Sequence, residues 1–215
     1  MAAIFSKSSD VYLRAAVLVV LAGGGGTLAL ALYLSHPQVR ETGYAPLQPV
    51  EYSHKLHAGD LGMDCRYCHS TVEQAAYAAI PATEVCMNCH ARVKADSPLL
   101  QMVRESYATG QPIPWVKVHR LPDYVYFNHQ AHVAAGVGCV SCHGRVDQMM
   151  VVKQVEPLTM AWCLDCHRDP APRLRPPDRV TDMKWHPDRD AAELGRQLMA
   201  ANRIAPPVNC SGCHR

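Results

Sequence analysis

Ten cysteines stand in the 215-residue sequence, and all ten fall into five copies of Cys-x-x-Cys-His. The copies are Cys65/Cys68-His69, Cys86/Cys89-His90, Cys139/Cys142-His143, Cys163/Cys166-His167 and Cys210/Cys213-His214. This spacing is the attachment signal of c-type haem. Two thiols three residues apart add across the two vinyl groups of one porphyrin, and the adjoining histidine reaches the iron from one face. A Cys-x-x-Cys pair alone also serves as half of a zinc ribbon or as a thioredoxin-like redox motif. Neither use, nor a disulfide framework, requires histidine directly after every pair, and histidine is only 12 of the 215 residues. No cysteine is left over. The natural count is five haems c, with His69, His90, His143, His167 and His214 as proximal iron ligands.

Seven histidines remain for the opposite faces: His36, His54, His57, His119, His129, His132 and His186. Surplus imidazole beside several haems points to bis-histidine iron, which is six-coordinate, low in potential relative to His/Met iron, and closed to substrate. His54, His57, His119, His129 and His132 are the expected distal ligands. His186, in Trp185-His186-Pro187, is an alternative, as are Met149, Met150 and Met183, any of which would raise the potential of its haem. His36 adjoins an apolar run and is not expected to ligate. Only Arg215 follows His214, so a distal ligand for the fifth iron must come from upstream, and the terminal segment is expected to fold back on earlier chain. Arg66 and Arg168, in and just after motifs, are expected to pair with propionates or to stay solvated.

The elements that position these groups follow an internal repeat. Tyr52-x-His54-x-x-His57 precedes Cys65, and Phe127-x-His129-x-x-His132 precedes Cys139; the histidine pairs are offset by 75 residues and these cysteines by 74. A second motif in each unit, at Cys86 and Cys163, is offset by 77. This reads as a first di-haem module over 52–126, a second over 127–180, and a fifth-haem segment over 181–215. Aromatic residues are 7% of the chain and phenylalanine only 2 residues, while much of the 48% hydrophobic content lies near the N-terminus. Roughly 36 residues remain per haem outside an anchor, too few to wrap each ring in its own domain. The haems must pack near one another and supply apolar area themselves, and closely spaced redox centres conduct electrons. The expected fold class is therefore a multihaem cytochrome c, loop-rich, with short α-helices packed around five haems. Helices are expected from Ser97-Pro98 to about Ala108, closed by Gly110 and Pro112, and from Asp190 to about Asn202 with Leu194 and Leu198 on its buried face. No alternating pattern marks a sheet. Charged residues are 19% without a long single-sign run, which excludes disorder, and a net charge of +2 gives no footprint for nucleic acid.

Residues 15–35 run 21 positions without a charge, enough to cross a bilayer as one helix and longer than the apolar core of a signal peptide. Ala29-Leu30-Ala31 imitates a cleavage site, yet an uncleaved anchor that keeps Met1 is the expectation. Lys7 and Arg14 precede the span while His36 and Arg40 follow it, so charge alone only weakly favours a cytoplasmic 1–14. Attachment of c-type haem outside the cytoplasm decides the orientation: a linker over 36–51 leads to a haem region in the periplasm or extracytoplasmic space. No cysteine precedes Cys65, which excludes a lipoprotein anchor. Gly23 to Gly26 read either as a tolerated kink or as a small-residue face that admits a partner helix.

The aromatic-x-His-x-x-His element followed by Cys-x-x-Cys-His resembles the cytochrome c3/c7 class. That resemblance implies that His54 serves the first haem and His129 the third, while His57 and His132 serve others. Tyr52 departs from the usual phenylalanine. The anchor, the five motifs, the stretch from Trp115 through His119 and His129 to His132, and the run from Pro157 to Arg168 resemble the ActA-type pentahaem subunits of alternative complex III. This implies a subunit of a quinol:electron-acceptor oxidoreductase of respiratory or photosynthetic bacteria, in which menaquinol or another quinol is oxidised in membrane subunits. The implied partners are an iron–sulfur subunit, multi-spanning quinol-binding subunits, other haem-containing subunits and a soluble periplasmic acceptor. A stand-alone membrane-anchored quinol dehydrogenase of the NapC/NrfH type is the alternative. A catalytic multihaem reductase fits poorly, because it needs an open iron and no motif replaces its histidine with lysine.

Overall fold

The computed structural model describes residues 7–36, 39 and 41–214, the side chain of Lys7 excepted. Met1, Pro37, Arg40 and Arg215, on which parts of the anchor, linker and terminal readings rest, lie outside the described residues. The chain divides into two compact units, Met1–Thr42 and Gly43–Arg215.

The first unit is built on one helix, α1 (Lys7–Ser35). Its stretch Ser8–Ser35, 28 residues, is long and apolar enough to cross a membrane. At about 1.5 Å of rise per residue it reaches roughly 40 Å, more than the ~30 Å hydrocarbon core of a bilayer. The helix begins before the uncharged run because Asp10 and Arg14 pair at 2.8 Å across one turn and support the polar start. Along Gly23–Gly26 nothing outside the helix's own backbone stands within 4 Å of where a Cβ would be. The Thr27 hydroxyl donates back to the Gly23 carbonyl at 2.8 Å. This stretch therefore keeps the narrow flank along which helices approach closely in lipid.

The second unit is helical and loop-rich, and no strand occurs among the described residues; two isolated bridges, Val125 with His214 and Val137 with Leu174, are the extended pairings. Its helices are α2 (Cys65–Cys68), α3 (Thr83–His90), α4 (Gln101–Thr109), α5 (His129–Ala134), α6 (Val140–His143), α7 (Met160–Arg168) and α8 (Ala191–Asn202). A single wide π-type turn spans Lys55–Asp60, and a tight turn at Pro98–Leu100 leads into α4. Helix α4 ends where Gly110 takes φ +70°, a conformation open to glycine, and returns its N–H to the Ser106 carbonyl. Ser97 makes no side-chain cap there; the start is held instead by Arg104, whose guanidinium donates to the Ala95 and Ser97 carbonyls at 2.8 and 2.9 Å.

Asp190 caps α8 as its sequence suggests, accepting from the Glu193 N–H at 2.8 Å. The close approach on that helix is made by Gly195, which lies between the two leucines expected to lead it; Gly195 is buried, whereas Leu194 and Leu198 are only half-buried. A Cβ at Gly195 would collide with the backbone carbonyl of Ala171 in the turn Ala171–Arg173. Gly195→Ala is therefore expected to force α8 off this turn at a cost of about 1–3 kcal/mol. A calorimetric midpoint equal to the parent's would count against that packing.

The two sequence repeats lean on each other. The π-type turn packs against the turn Val146–Gln148, with Gly59 pressed on the Asp147 carbonyl and the Lys55 N–H donating to Met149 O at 2.9 Å. The terminal segment folds back as expected: Tyr126 N–H donates to Cys213 O at 2.7 Å beside the Val125–His214 bridge. Among the described residues, the buried apolar set is Val50, Val72, Val103, Ala171, Leu174, Val180 and Met183, and no large side chain is fully enclosed. The polypeptide's own side chains do not make a core of ordinary size for this length.

Candidate functional site

Each motif begins at, or sits on, a short helical element, which turns cysteines three residues apart to one side and brings the following histidine beside them. Helices α2, α3, α6 and α7 carry the first four, and the turn Cys210–Gly212 carries the fifth. Side-chain caps fix three of these: Thr159 accepts from Trp162 N–H, Asn209 from Gly212 N–H, and Asp64 from Arg66 N–H at 2.8 Å. Asp64 is also forked by the Arg66 guanidinium and bonded by the Thr181 hydroxyl at 2.9 Å, so its carboxyl falls to about 2, with the Arg66 bond the main cause. Arg66 is thereby taken up by Asp64 and, at 3.2 Å, by Glu73. Asp64→Ala is expected to cost about 1 kcal/mol at neutral pH as a lost cap. Because the folded-state pKa is depressed, that stabilisation is present above the ordinary carboxylate range and disappears as the pH falls towards about 2. Denaturation of both proteins across that window should show the gap closing.

No two of the ten cysteines are joined in a disulfide. Among the described residues no three His, Cys, Asp or Glu side chains converge to hold a bare metal ion, as a zinc ribbon would need. The imidazoles are arranged differently. Six of them place Nδ1 against a backbone carbonyl: His57 on Ser53, His69 on Ala79, His90 on Val93, His129 on Ala76, His132 on Asn128 and His167 on Pro207, all at 2.7–2.9 Å. A carbonyl only accepts, so Nδ1 carries the proton and Nε2 keeps its lone pair, the form in which histidine ligates a metal.

Among the described residues, three pairs of imidazoles stand at a similar separation. His57 and His90 have centroids 6.2 Å apart, His129 and His143 6.3 Å, and His132 and His167 6.1 Å. A nitrogen about 2 Å from a metal puts its ring centroid about 3 Å away, so two axial imidazoles of one iron stand about 6 Å apart. The repeat seen in the sequence is a repeat in space as well. Tyr52 lies edge-on to His54 at 4.8 Å and stacks on His57 at 4.5 Å, while Phe127 takes the same posture against His129 at 4.8 Å and His132 at 4.7 Å. Burial drives the Tyr52 phenol above its ordinary range.

Burial first, then the charges of His69 and His57, lowers His54 to about 4, and burial with the surrounding histidines lowers His143 to about 3. His119 and His132 shift down mainly for the same reason. The shifts favour the neutral imidazole, the form in which histidine ligates a metal. Among the described residues two imidazole nitrogens are buried without a hydrogen-bond partner, His54 Nδ1 and His119 Nε2. His119 stands edge-on to His143 at 4.5 Å. The ring nearest His214 in this set is Tyr124, 5.7 Å away, a neighbour that the sequence did not suggest. Met150 is exposed and its sulfur accepts from the Ser53 hydroxyl at 3.3 Å; Met149 offers its carbonyl to Lys55. Met183 and His186 line a cavity of about 500 Å³ with Trp185 and Arg175.

Arg175 also went unnoticed in the sequence. Its buried guanidinium lies against Gly138 and over Trp185 at 5.0 Å, and donates to the carbonyls of Arg179 and Asp182. The donor set as a whole fits haem c: paired thiols, proton-fixed imidazoles at axial spacing, and a polypeptide that does not close its own core.

A sequence profile of the family described as cytochrome c7 and related cytochrome c matches residues 50–108 and 125–215. Over 97 residues the chain is 38% identical to a protein of Nitratidesulfovibrio vulgaris (strain Hildenborough) named menaquinone reductase, multiheme cytochrome c subunit. That stretch covers 45% of this chain and 45% of the relative, so the match spans less than half of either length.

Proposed function

Since the chain belongs to the family of cytochrome c7 and related cytochromes c, we propose that it is the electron-transfer subunit of a membrane quinol:electron-acceptor oxidoreductase of the alternative complex III kind, with five covalently bound haems c. When bound, haem c supplies one-electron exchange at iron. The ten motif cysteines hold the groups, and His69, His90, His143, His167 and His214 are the proximal ligands. His54, His57, His129 and His132 are the distal ligands of the first, second, third and fourth sites in turn. For the fifth site the remaining donors are His119, His186, Met149, Met150 and Met183. The backbone carbonyls keep the ligand nitrogens unprotonated, and the Tyr52 and Phe127 rings fix the planes of the distal pairs.

The observation that carries this reading is the set of three imidazole pairs about 6 Å apart. At these three sites imidazole on both faces would leave a bound iron no position for substrate, which favours conduction over catalysis. Helix α1 anchors the subunit in the bacterial cytoplasmic membrane, N-terminus in the cytoplasm, and the haem modules (52–126, 127–180 and 181–215) stand in the periplasm. The bare glycine flank of α1 suits a multi-spanning partner subunit. The relative's name, a subunit of a menaquinone reductase, supports membership of a multi-subunit quinone-linked assembly over the stand-alone NapC/NrfH-type dehydrogenase.

A blue-native gel of gently solubilised membranes, stained for haem, separates the two readings. A haem band holding this chain at several times its own mass is expected, with an iron–sulfur subunit and multi-spanning subunits identified by mass spectrometry of that band. A band near the mass of the chain or its small oligomer would overturn the complex in favour of the stand-alone enzyme.

A further inference from the structure

The five motifs are neighbours in space in an order that differs from their order along the chain. The second meets the first through their inner residues, where the Asn88 amide donates to the Tyr67 hydroxyl at 3.1 Å. The first meets the third on two consecutive residues: Cys65 Sγ is directed at Thr181 O at 4.0 Å, and Cys139 N–H donates to Val180 O at 3.1 Å. The Cys65 and Cys139 side chains lie beside one another there. The third meets the fourth through α5, which runs towards Cys139 and sets His132 6.1 Å from His167. The Cys163 and Cys166 side chains accordingly stand near Cys142. The fourth meets the fifth where His167 Nδ1 donates to the carbonyl of Pro207, three residues ahead of Cys210, and Cys163 adjoins Cys213.

Exposure agrees with this order independently. Cys89 of the second motif and Cys210 of the fifth are exposed, while the other eight cysteines are half-buried. We infer that the sites are joined in the order second, first, third, fourth, fifth, and that the second and fifth are the two ends at which electrons enter and leave. The inference rests on the reading of the motifs as haem sites given above. No bond is made or broken in the transfer. A one-electron donor loses one electron at one end, and a one-electron acceptor gains one at the other. The fold places the first module's two sites in reverse order, because the π-type turn and the Thr181 region draw the first motif inward against the third. The second motif is left on the outside, next to the exposed end of α3 at Cys89.

Nuclear magnetic resonance of the fully reduced, diamagnetic protein in detergent tests this on the native chain, without a variant that must fold. Each haem is assigned through the β-protons of its own cysteines, and intact mass gives the haem count. Five haems with inter-haem Overhauser contacts for second–first, first–third, third–fourth and fourth–fifth are expected. Contacts between second and third with none between first and third would overturn the order while leaving the haem reading intact; a mass showing fewer than five haems would overturn that reading instead. A soluble gadolinium chelate should broaden the haem-methyl signals of the second and fifth sites most. Stronger broadening at the first, third or fourth would overturn their assignment as ends.

Discussion

Replacing Cys139 and Cys142 together with alanine is expected to lower the melting midpoint of the haem region by roughly 10–20 °C. The argument is one of area. A ring system that buries on the order of 200 Å² of apolar surface, at about 25 cal/mol per Å², contributes about 5 kcal/mol. For a domain of this size each kcal/mol moves the midpoint by about 2–4 °C. The polypeptide has little to set against that loss, since no large side chain is fully enclosed by its own neighbours among the described residues. The third site is also the most interlocked, with Cys139 tied to Val180 and beside Cys65. Calorimetry alongside intact mass checks the prediction. A variant one haem short that melts with the parent would refute haem as core material.

His129→Ala should convert about one fifth of the low-spin haem spectrum to a high-spin form that binds carbon monoxide, since one of five irons loses an axial imidazole. The backbone should survive the change, because the His129 N–H also donates to Ala76 O, at 3.1 Å, and that bond does not need the side chain. His132→Ala should do the same to the fourth site and leave the third low-spin, because its ring faces His167 and not His143. If the low-spin spectrum of His129→Ala were unchanged, the pairing of His129 with His143 would be wrong.

The chemistry of the attachment points lay open in the sequence because covalent attachment needs fixed residue types at fixed spacing, and those are what a sequence records. The doubled histidine element was legible for the same reason, and its spatial copy, Tyr52 over His57 and Phe127 over His132, follows the repeat. The partners that orient the rings were not legible. Ala76, Ala79, Val93 and Pro207 act through backbone carbonyls, which every residue possesses. The leading contact of α8 was missed because an apolar stripe marks leucines, while the closest approach belongs to the residue with no side chain. The neighbourhood of the motifs was hidden too, since contacts such as Asn88 with Tyr67 join residues that the motif leaves free. Arg175 gave no signal because its partners are a glycine, a tryptophan and two carbonyls.

The carbonyl that holds each ring also sets a timetable for a chain made from its N-terminus. The first two proposed sites have every proposed ligand and its carbonyl once residue 93 has emerged: His54, His69 and the Ala79 carbonyl for one, His57, His90, Ser53 and the Val93 carbonyl for the other. The third uses an anchor, Ala76, made well before His129 arrives to claim it. The fourth reverses this, for His167 must wait 40 residues until Pro207 supplies its carbonyl. At about 5–20 residues per second, that interval lasts a few seconds. Until then the carbonyl that fixes the His167 ring does not exist, and this ring is the last of the six to gain its partner.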